Sequence, residues 1–296
     1  LIPKVRVKSV LNKHKRRDSW FLDDYSVNPY YGCQFACIYC YTRGGGYGRE
    51  PHELAAKVNA PEVLDRQLRR RASRREYGFI ALGTSTEPYM EVERELGITR
   101  KVLSVISHYR FPVHVLTKST LVARDSDLLV EIAGRAELPP DLEGRVSGAL
   151  VTISMSTVDD ELARFLEPGA PPPSERFEAL EKLRDEGIEA GVAFIPVIPF
   201  LSDGEDELRR AIREAKDRKA SYVFVGALTL PGDLKRTFLR ALEARFPELV
   251  DGYRKIFRGG YPSREYQDRL YSTARTICRE EGVRLGILGE IIPEGR

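Results

Sequence analysis

Cysteine is scarce in this 296-residue chain: there are four, and three of them fall within eight positions. So few thiols, grouped so tightly, exclude a disulfide framework. Long apolar runs are missing too. The longest, 191–201, is interrupted by Pro196 and Pro199 and falls far short of the roughly 20 residues a membrane helix needs, so no membrane partner is expected. The beginning of the sequence, LIPKVRVKSVLNKHKRR, has no apolar leader core, which points to a cytoplasmic protein whose thiols stay reduced. Asparagine and glutamine number three each; that usage resembles thermophile proteins and carries no functional information. With 42% hydrophobic and 31% charged residues, the composition is globular and excludes general disorder.

What is present is Cys33-x-x-x-Cys37-x-x-Cys40, inside the stretch NPYYGCQFACIYCYTRGGG at 28–46. Thiolates are soft ligands that select zinc, copper(I) or iron–sulfur clusters, and three on one short loop can grip three corners of an iron–sulfur cube. A four-iron cluster normally takes four cysteines, so a three-cysteine loop leaves one iron for something other than protein. A zinc knuckle is the alternative, but it needs a fourth ligand, and neither His52 nor the distant Cys278 has zinc-finger spacing. Cys278 falls on a helical pattern with Leu270, Ala274 and Ile277 and reads as a buried structural cysteine.

From residue 26 onward, short β-rich runs alternate six times with helical periodicity, which predicts an α/β fold: an incomplete (β/α)6, TIM-like barrel with a helical C-terminal extension. Strands are expected at 26–30, 77–82, 113–117, 150–155, 190–195 and 221–225. Helices are expected at 61–75, 99–109, 125–133, 174–186 and 206–218. The organisation expected is a basic N-terminal segment 1–25, the partial barrel 26–232, and a mostly helical extension 233–296 packed on it.

Functional residues of a parallel barrel gather at the C-terminal ends of its strands. The cysteine loop follows the first strand. The other strand ends are 83–89 (GTSTEPY), 117–119 (TKS), 154–157 (SMST), 196–199 (PVIP) and 226–231 (GALTLP). Lys118 is a cation in that position, suited to a carboxylate or a phosphate. Arg164 and Glu167, in RFLEP, fall near the rim by Ser156, although a helix after the fourth strand explains them as well. The formal net charge is only +3, yet basic residues cluster at 13–17 and 69–75. Such runs are usually solvated faces; they are also the electrostatic footprint of nucleic acid, so DNA or RNA is kept as a candidate partner.

The motif C-x3-C-x2-C with Tyr39 before the last cysteine resembles the radical SAM signature. The resemblance implies a 4Fe-4S cluster held by Cys33, Cys37 and Cys40. It also implies an open iron chelated by S-adenosylmethionine, whose reductive cleavage gives a 5'-deoxyadenosyl radical. An external one-electron reductant, flavodoxin- or ferredoxin-like, is implied as a partner. Tyr39 would lie near the adenine, and Thr84 and Glu87 near the methionine amino group. Lys118 would pair with the methionine carboxylate, and Ser154 and Ser156 would bond the ribose. Pro196 and Val197 belong to a stiff apolar shelf for the adenine. Tyr41, with Tyr39, flanks Cys40 and is a candidate radical relay.

Within the superfamily the chain most resembles the spore photoproduct lyase-like, SplB-type branch, through the cysteine block, GTSTEPYxxxERELGITRKVL at 83–103 and PVHVLTKSTLVARDxDLL at 112–129. That branch implies a fourth, hydrogen-donating cysteine at the end of the second strand. Here the matching residues are Gly83, Thr84 and Ser85, with no thiol, and hydroxyls hold hydrogen too strongly to replace one. Two other function classes remain open from sequence: an electron-transfer iron–sulfur protein, which would need a fourth ligand, and a non-catalytic nucleic-acid binder, which would not need its cluster.

Overall fold

The computed structural model describes residues 2–44 and 53–289; Gly45, Gly46 and His52 lie outside the described residues. Seven strands form one sheet: β1 (Leu11–Lys13), β2 (Asp23–Val27), β3 (Phe79–Leu82), β4 (Val113–Thr117), β5 (Ala149–Met155), β6 (Glu189–Val197) and β7 (Val223–Ala227). They lie side by side in chain order, and every pair is parallel except β1 with β2. The six parallel strands and their crossover helices make an open, incomplete (β/α)6 barrel. Parallel strands covered on both faces read as unbroken apolar runs, and Phe79–Leu82 is buried at all four positions.

The main helices are α1 (Ala60–Ala72), α2 (Ile98–His108), α3 (Ser126–Arg135), α4 (Pro173–Asp185), α5 (Glu205–Asp217), α6 (Leu234–Arg245) and α7 (Arg264–Glu281). Each buries one stripe at helical spacing, as α5 does with Leu208, Ala211, Ile212 and Ala215; its first turn is acidic, which suits the positive end of the helix dipole. Helix α7 lies against α5, where Arg209 and Arg213 pair with Glu281 at 3.5 and 2.8 Å. Cys278 on α7 is 2% exposed within the main core. Among the described residues no helix is long and apolar enough to cross a membrane.

The first barrel strand sits three residues earlier than the sequence pattern predicts. After Val27 the chain breaks away at Asn28-Pro29, and Tyr30–Tyr31 joins a separate small sheet with Ala55–Lys57 and Lys4–Val5. Asn28 makes the break by accepting from the Ser85 N–H at 3.2 Å, while Pro29 has no N–H to continue the ladder. Strand β6 runs on through Pro196 to Val197, two residues past the expected end.

Both basic runs lie at the N-terminal ends of the strands. Arg17 pairs with Asp24 at the start of β2 at 3.1 Å, and Arg71 pairs with Glu76, whose backbone carbonyl accepts from Tyr25. That end is opposite the strand ends that carry the cysteine loop.

Candidate active site

A cavity of about 300 Å³ opens at the C-terminal ends of the strands. Cys33, Cys37 and Cys40 share its wall with Tyr39, Tyr41, Thr84, Glu87, Lys118, Ser154 and Pro196, and Phe21 and Thr152 lie deeper. The loop rests on a second apolar cluster in which Phe35, Cys37 and Tyr39 meet Leu166, Leu228 and Phe238. Burial pushes the Cys33 thiol up to about 11, with the Glu87 charge adding to it, and burial raises Cys37 further still. Cys33 Sγ accepts from the Phe35 N–H at 3.4 Å, and Cys40 Sγ lies 3.0 Å from Thr42 Oγ1.

The turn after β3 is shaped by Gly83, which has φ +96°; a Cβ there would stand 2.4 Å from the Leu116 carbonyl oxygen. Glu87 is buried and braces this turn against β4. It accepts from the N–H groups of Tyr89 and Lys118, both at 2.9 Å, and from the Thr117 hydroxyl at 2.5 Å. Burial raises its carboxyl, and these bonds act against that rise. Tyr41, 39% exposed at the rim, donates to the Thr84 carbonyl. Lys118 Nζ donates to Ser154 Oγ at 2.7 Å and stands 3.4 Å from Glu167 Oε1. An ammonium has three donors, so among the described residues the third is available to the cavity.

Glu167 is the electrostatic centre of this wall. Its carboxylate, 0% exposed, forms an ion pair with Arg176, Nη2 standing 2.5 Å from Oε2, and accepts from the Tyr39 hydroxyl on Oε1. Burial alone would raise Glu167, yet Lys118, Arg176 and the Tyr39 bond outweigh it and hold the carboxyl at about 2. Arg176, also fully buried, donates to the carbonyls of Pro171 and Ser154 at 2.6 and 2.9 Å. Sequence reasoning missed Arg176, although a signal exists: it occupies the apolar stripe of α4 with Pro173, Phe177, Leu180 and Leu183. Arg164, by contrast, is exposed on its short helix.

A second buried network, also missed, holds the entry to the loop. Tyr30 donates to Glu93, which also accepts from the Thr99 N–H and Arg124 at 3.0 Å each, and Arg124 reaches Asp125 at 2.8 Å. No local pattern marks these partners, because they come from three segments far apart along the chain: the short strand at Tyr30, the helical stretch from Glu93 to Thr99 and the helical turn at Arg124 and Asp125.

Two of the expected cofactor contacts lie outside the cavity. Val197 follows Pro196 on a strand, so its side chain takes the opposite face and joins the core. Ser156, one residue past β5 and 2% exposed, lies with Val197 along a separate small recess beside α5. The other expected residues share the cavity.

Among the described residues no three His, Cys, Asp or Glu side chains stand preassembled as a metal site. The donor set nevertheless fits a cluster with one open iron: three soft thiols on one cavity wall, with Cys278 far off in the core. Buried thiols ionise only where positive charge is supplied, as a metal would supply it.

The radical SAM superfamily pattern matches residues 27–215, and membership implies a 4Fe-4S cluster and S-adenosylmethionine. An uncharacterised protein of Mycobacterium tuberculosis is 31% identical over 257 residues, which cover 83% of this chain and 71% of that one. An uncharacterised protein of Methanocaldococcus jannaschii is 29% identical over 278 residues, covering 93% of each chain. Spore photoproduct lyase complexed with dinucleoside spore photoproduct superposes with a TM-score of 0.68 at 16% identity, over 94% of this chain and 78% of that one. The cysteine loop, its cavity and these likenesses converge: the chain belongs to the radical SAM superfamily and has the open-barrel fold that spore photoproduct lyase has.

Proposed function

We propose that this protein is a radical SAM enzyme whose Cys33, Cys37 and Cys40 hold a 4Fe-4S cluster and whose cavity takes S-adenosylmethionine and part of a large substrate, nucleic acid being the class favoured. The observation that carries this reading is the meeting of three thiols and one partly exposed lysine in a single strand-end cavity. When bound, the cluster and cofactor supply a 5'-deoxyadenosyl radical on receipt of one electron from a flavodoxin- or ferredoxin-like donor.

The protein's own part is binding, orientation and exclusion of water. In this reading Lys118 takes the methionine carboxylate with its remaining donor. Glu87, committed to three protein bonds, holds the turn whose backbone faces the amino group. Ser154 and Pro196 line the nucleoside side with Tyr39, and Tyr41 covers the mouth.

Support for a large substrate comes from the rim. The hairpin that pairs Phe257–Arg258 with Tyr261–Pro262 leans on the loop after β7, where the Leu230 N–H donates to the Gly260 carbonyl at 2.7 Å. Tyr261 there is 64% exposed and Arg258 is exposed beside it. An exposed aromatic with a neighbouring guanidinium suits base stacking and phosphate contact. The basic runs at 13–17 and 69–75 are at the other end of the barrel and take no part in this reading. Among the described residues the cavity wall carries no thiol beyond the loop cysteines, so repair of spore photoproduct with an internal thiol donor is not what we propose.

Anaerobic reconstitution followed by dithionite reduction tests the reading. The expected result is one four-iron cluster and slow release of 5'-deoxyadenosine, both lost in Cys33→Ala, Cys37→Ala and Cys40→Ala and kept in Cys278→Ala. A verified reduced cluster that yields no 5'-deoxyadenosine sinks the enzyme reading, and loss of the cluster in Cys278→Ala overturns the open-iron argument.

A further inference from the structure

The cysteine loop is held from one side by a turn that supplies none of its ligands. At the end of the short helix Asp160–Leu166, the Leu166 carbonyl accepts from the Ile38 N–H at 2.9 Å, and just beyond it the Gly169 N–H donates to the Phe35 carbonyl at 3.0 Å. Between these two backbone bonds Glu167 accepts from the Tyr39 hydroxyl. The three tethers grip residues 35, 38 and 39, which interleave with Cys37 and Cys40. Gly169 sits so close that a Cβ would stand 2.5 Å from the Gln34 carbonyl oxygen and 2.8 Å from Phe35 Cα. Its φ is not positive, so the approach of the loop, and not local strain, is what requires glycine there. Arg176 in turn anchors Glu167 to the Ser154 carbonyl of β5, which ties the turn to the barrel wall.

We propose that the turn 166–170 is a built-in template for the cluster loop, with Gly169 and Glu167 as positioning residues that set the backbone of 35–39 before a cluster is bound. This rests on the radical SAM reading for its consequence but not for its geometry. A short loop of three thiols in a cavity has many conformations; a backbone clamp selects the one with the sulfurs turned to the cavity, which is how supporting groups raise the affinity of a metal site.

The test compares full-length wild type, Gly169→Ala and Gly134→Ala, the last a helix glycine with nothing near its Cβ position. After anaerobic reconstitution with ferrous iron and sulfide, wild type and Gly134→Ala should load equal iron and give the same electron paramagnetic resonance spectrum. Gly169→Ala should hold iron about tenfold more weakly or worse, with an altered spectrum for the cluster that remains. In the metal-free proteins, iodoacetamide should alkylate the loop cysteines faster in Gly169→Ala than in the other two. Equal alkylation and an unchanged spectrum in Gly169→Ala overturn the template. A wild type that takes up no iron sinks the proposed function instead, and the alkylation comparison still decides the template. Should Gly169→Ala lose its folded circular dichroism, Tyr39→Phe, which cuts only the side-chain tether, must show the same faster alkylation; wild-type behaviour there overturns the proposal.

Discussion

Replacing Arg176 by methionine should destabilise the fold by about 3 to 5 kcal/mol, the usual loss when one partner of a buried ion pair is removed. The pair is fully buried on both sides at 2.5 Å, and Arg176 also satisfies two carbonyls. Without it, Glu167 keeps Lys118 at 3.4 Å and the Tyr39 hydroxyl, too little to offset its desolvation. Acid adds an independent reading. Glu167 is held at about 2 against an ordinary 4.5; because the folded value is the lower one, the ionised group contributes roughly 3 kcal/mol above pH 4.5 that is lost as pH falls through 2. In Arg176→Met the carboxyl should rise toward its unfolded value, so that this acid loss shrinks. Urea unfolding of the metal-free protein, followed by circular dichroism at pH 7 and at steps down to pH 2, measures both effects. The double variant Glu167→Gln/Arg176→Met removes both charges and should recover most of the loss. A single-variant cost under about 1 kcal/mol, the level of an exposed pair, or a double variant no better than the single, refutes the buried-pair account.

Burial lowers His114 from 6.5 to about 4, so the unfolded chain binds its proton first and stability should fall by about 3 kcal/mol as pH drops from 6.5 to 4; His114→Gln should flatten that window, and an unchanged pH profile would count against it. Lys118→Met should keep its cluster but bind S-adenosylmethionine about tenfold to a hundredfold more weakly, as loss of a charged hydrogen bond implies; wild-type affinity by calorimetry removes Lys118 from the site. Wild type incubated with dinucleoside spore photoproduct should release little thymidine, and Thr84→Cys, which puts a thiol on the cavity wall, should release more only if the protein handles thymine dimers; inactivity of both moves the substrate elsewhere. Clean repair by wild type, read by chromatography, would disprove the argument from the missing thiol.

Much of this protein is legible in its local chemistry. The cysteine triplet is legible because its ligands are sequence neighbours, and the six parallel strands because a strand buried on both faces must be a continuous apolar run. Strand-end loops then follow from the topology, which is why Thr84, Glu87, Lys118, Ser154 and Pro196 meet at one cavity. Where the first strand ends is not legible: Tyr30 and Tyr31 are as strand-prone as the residues before them, and the choice is made by Asn28 bonding to Ser85, 57 positions away. Proximity in sequence puts Val197 with Pro196, whereas the pleat turns it to the core. Arg176 announces a buried charge by its place in an apolar stripe, but its partner cannot be read from the pattern. Tyr39 and Glu167 are 128 positions apart, and which carboxylate meets which cation, or how closely Gly169 approaches the cysteine loop, follows only from how the helices pack. Periodicity and ligand spacing are properties of neighbours along the chain; charge compensation and backbone approach are properties of neighbours in space, and only the folded barrel brings those together.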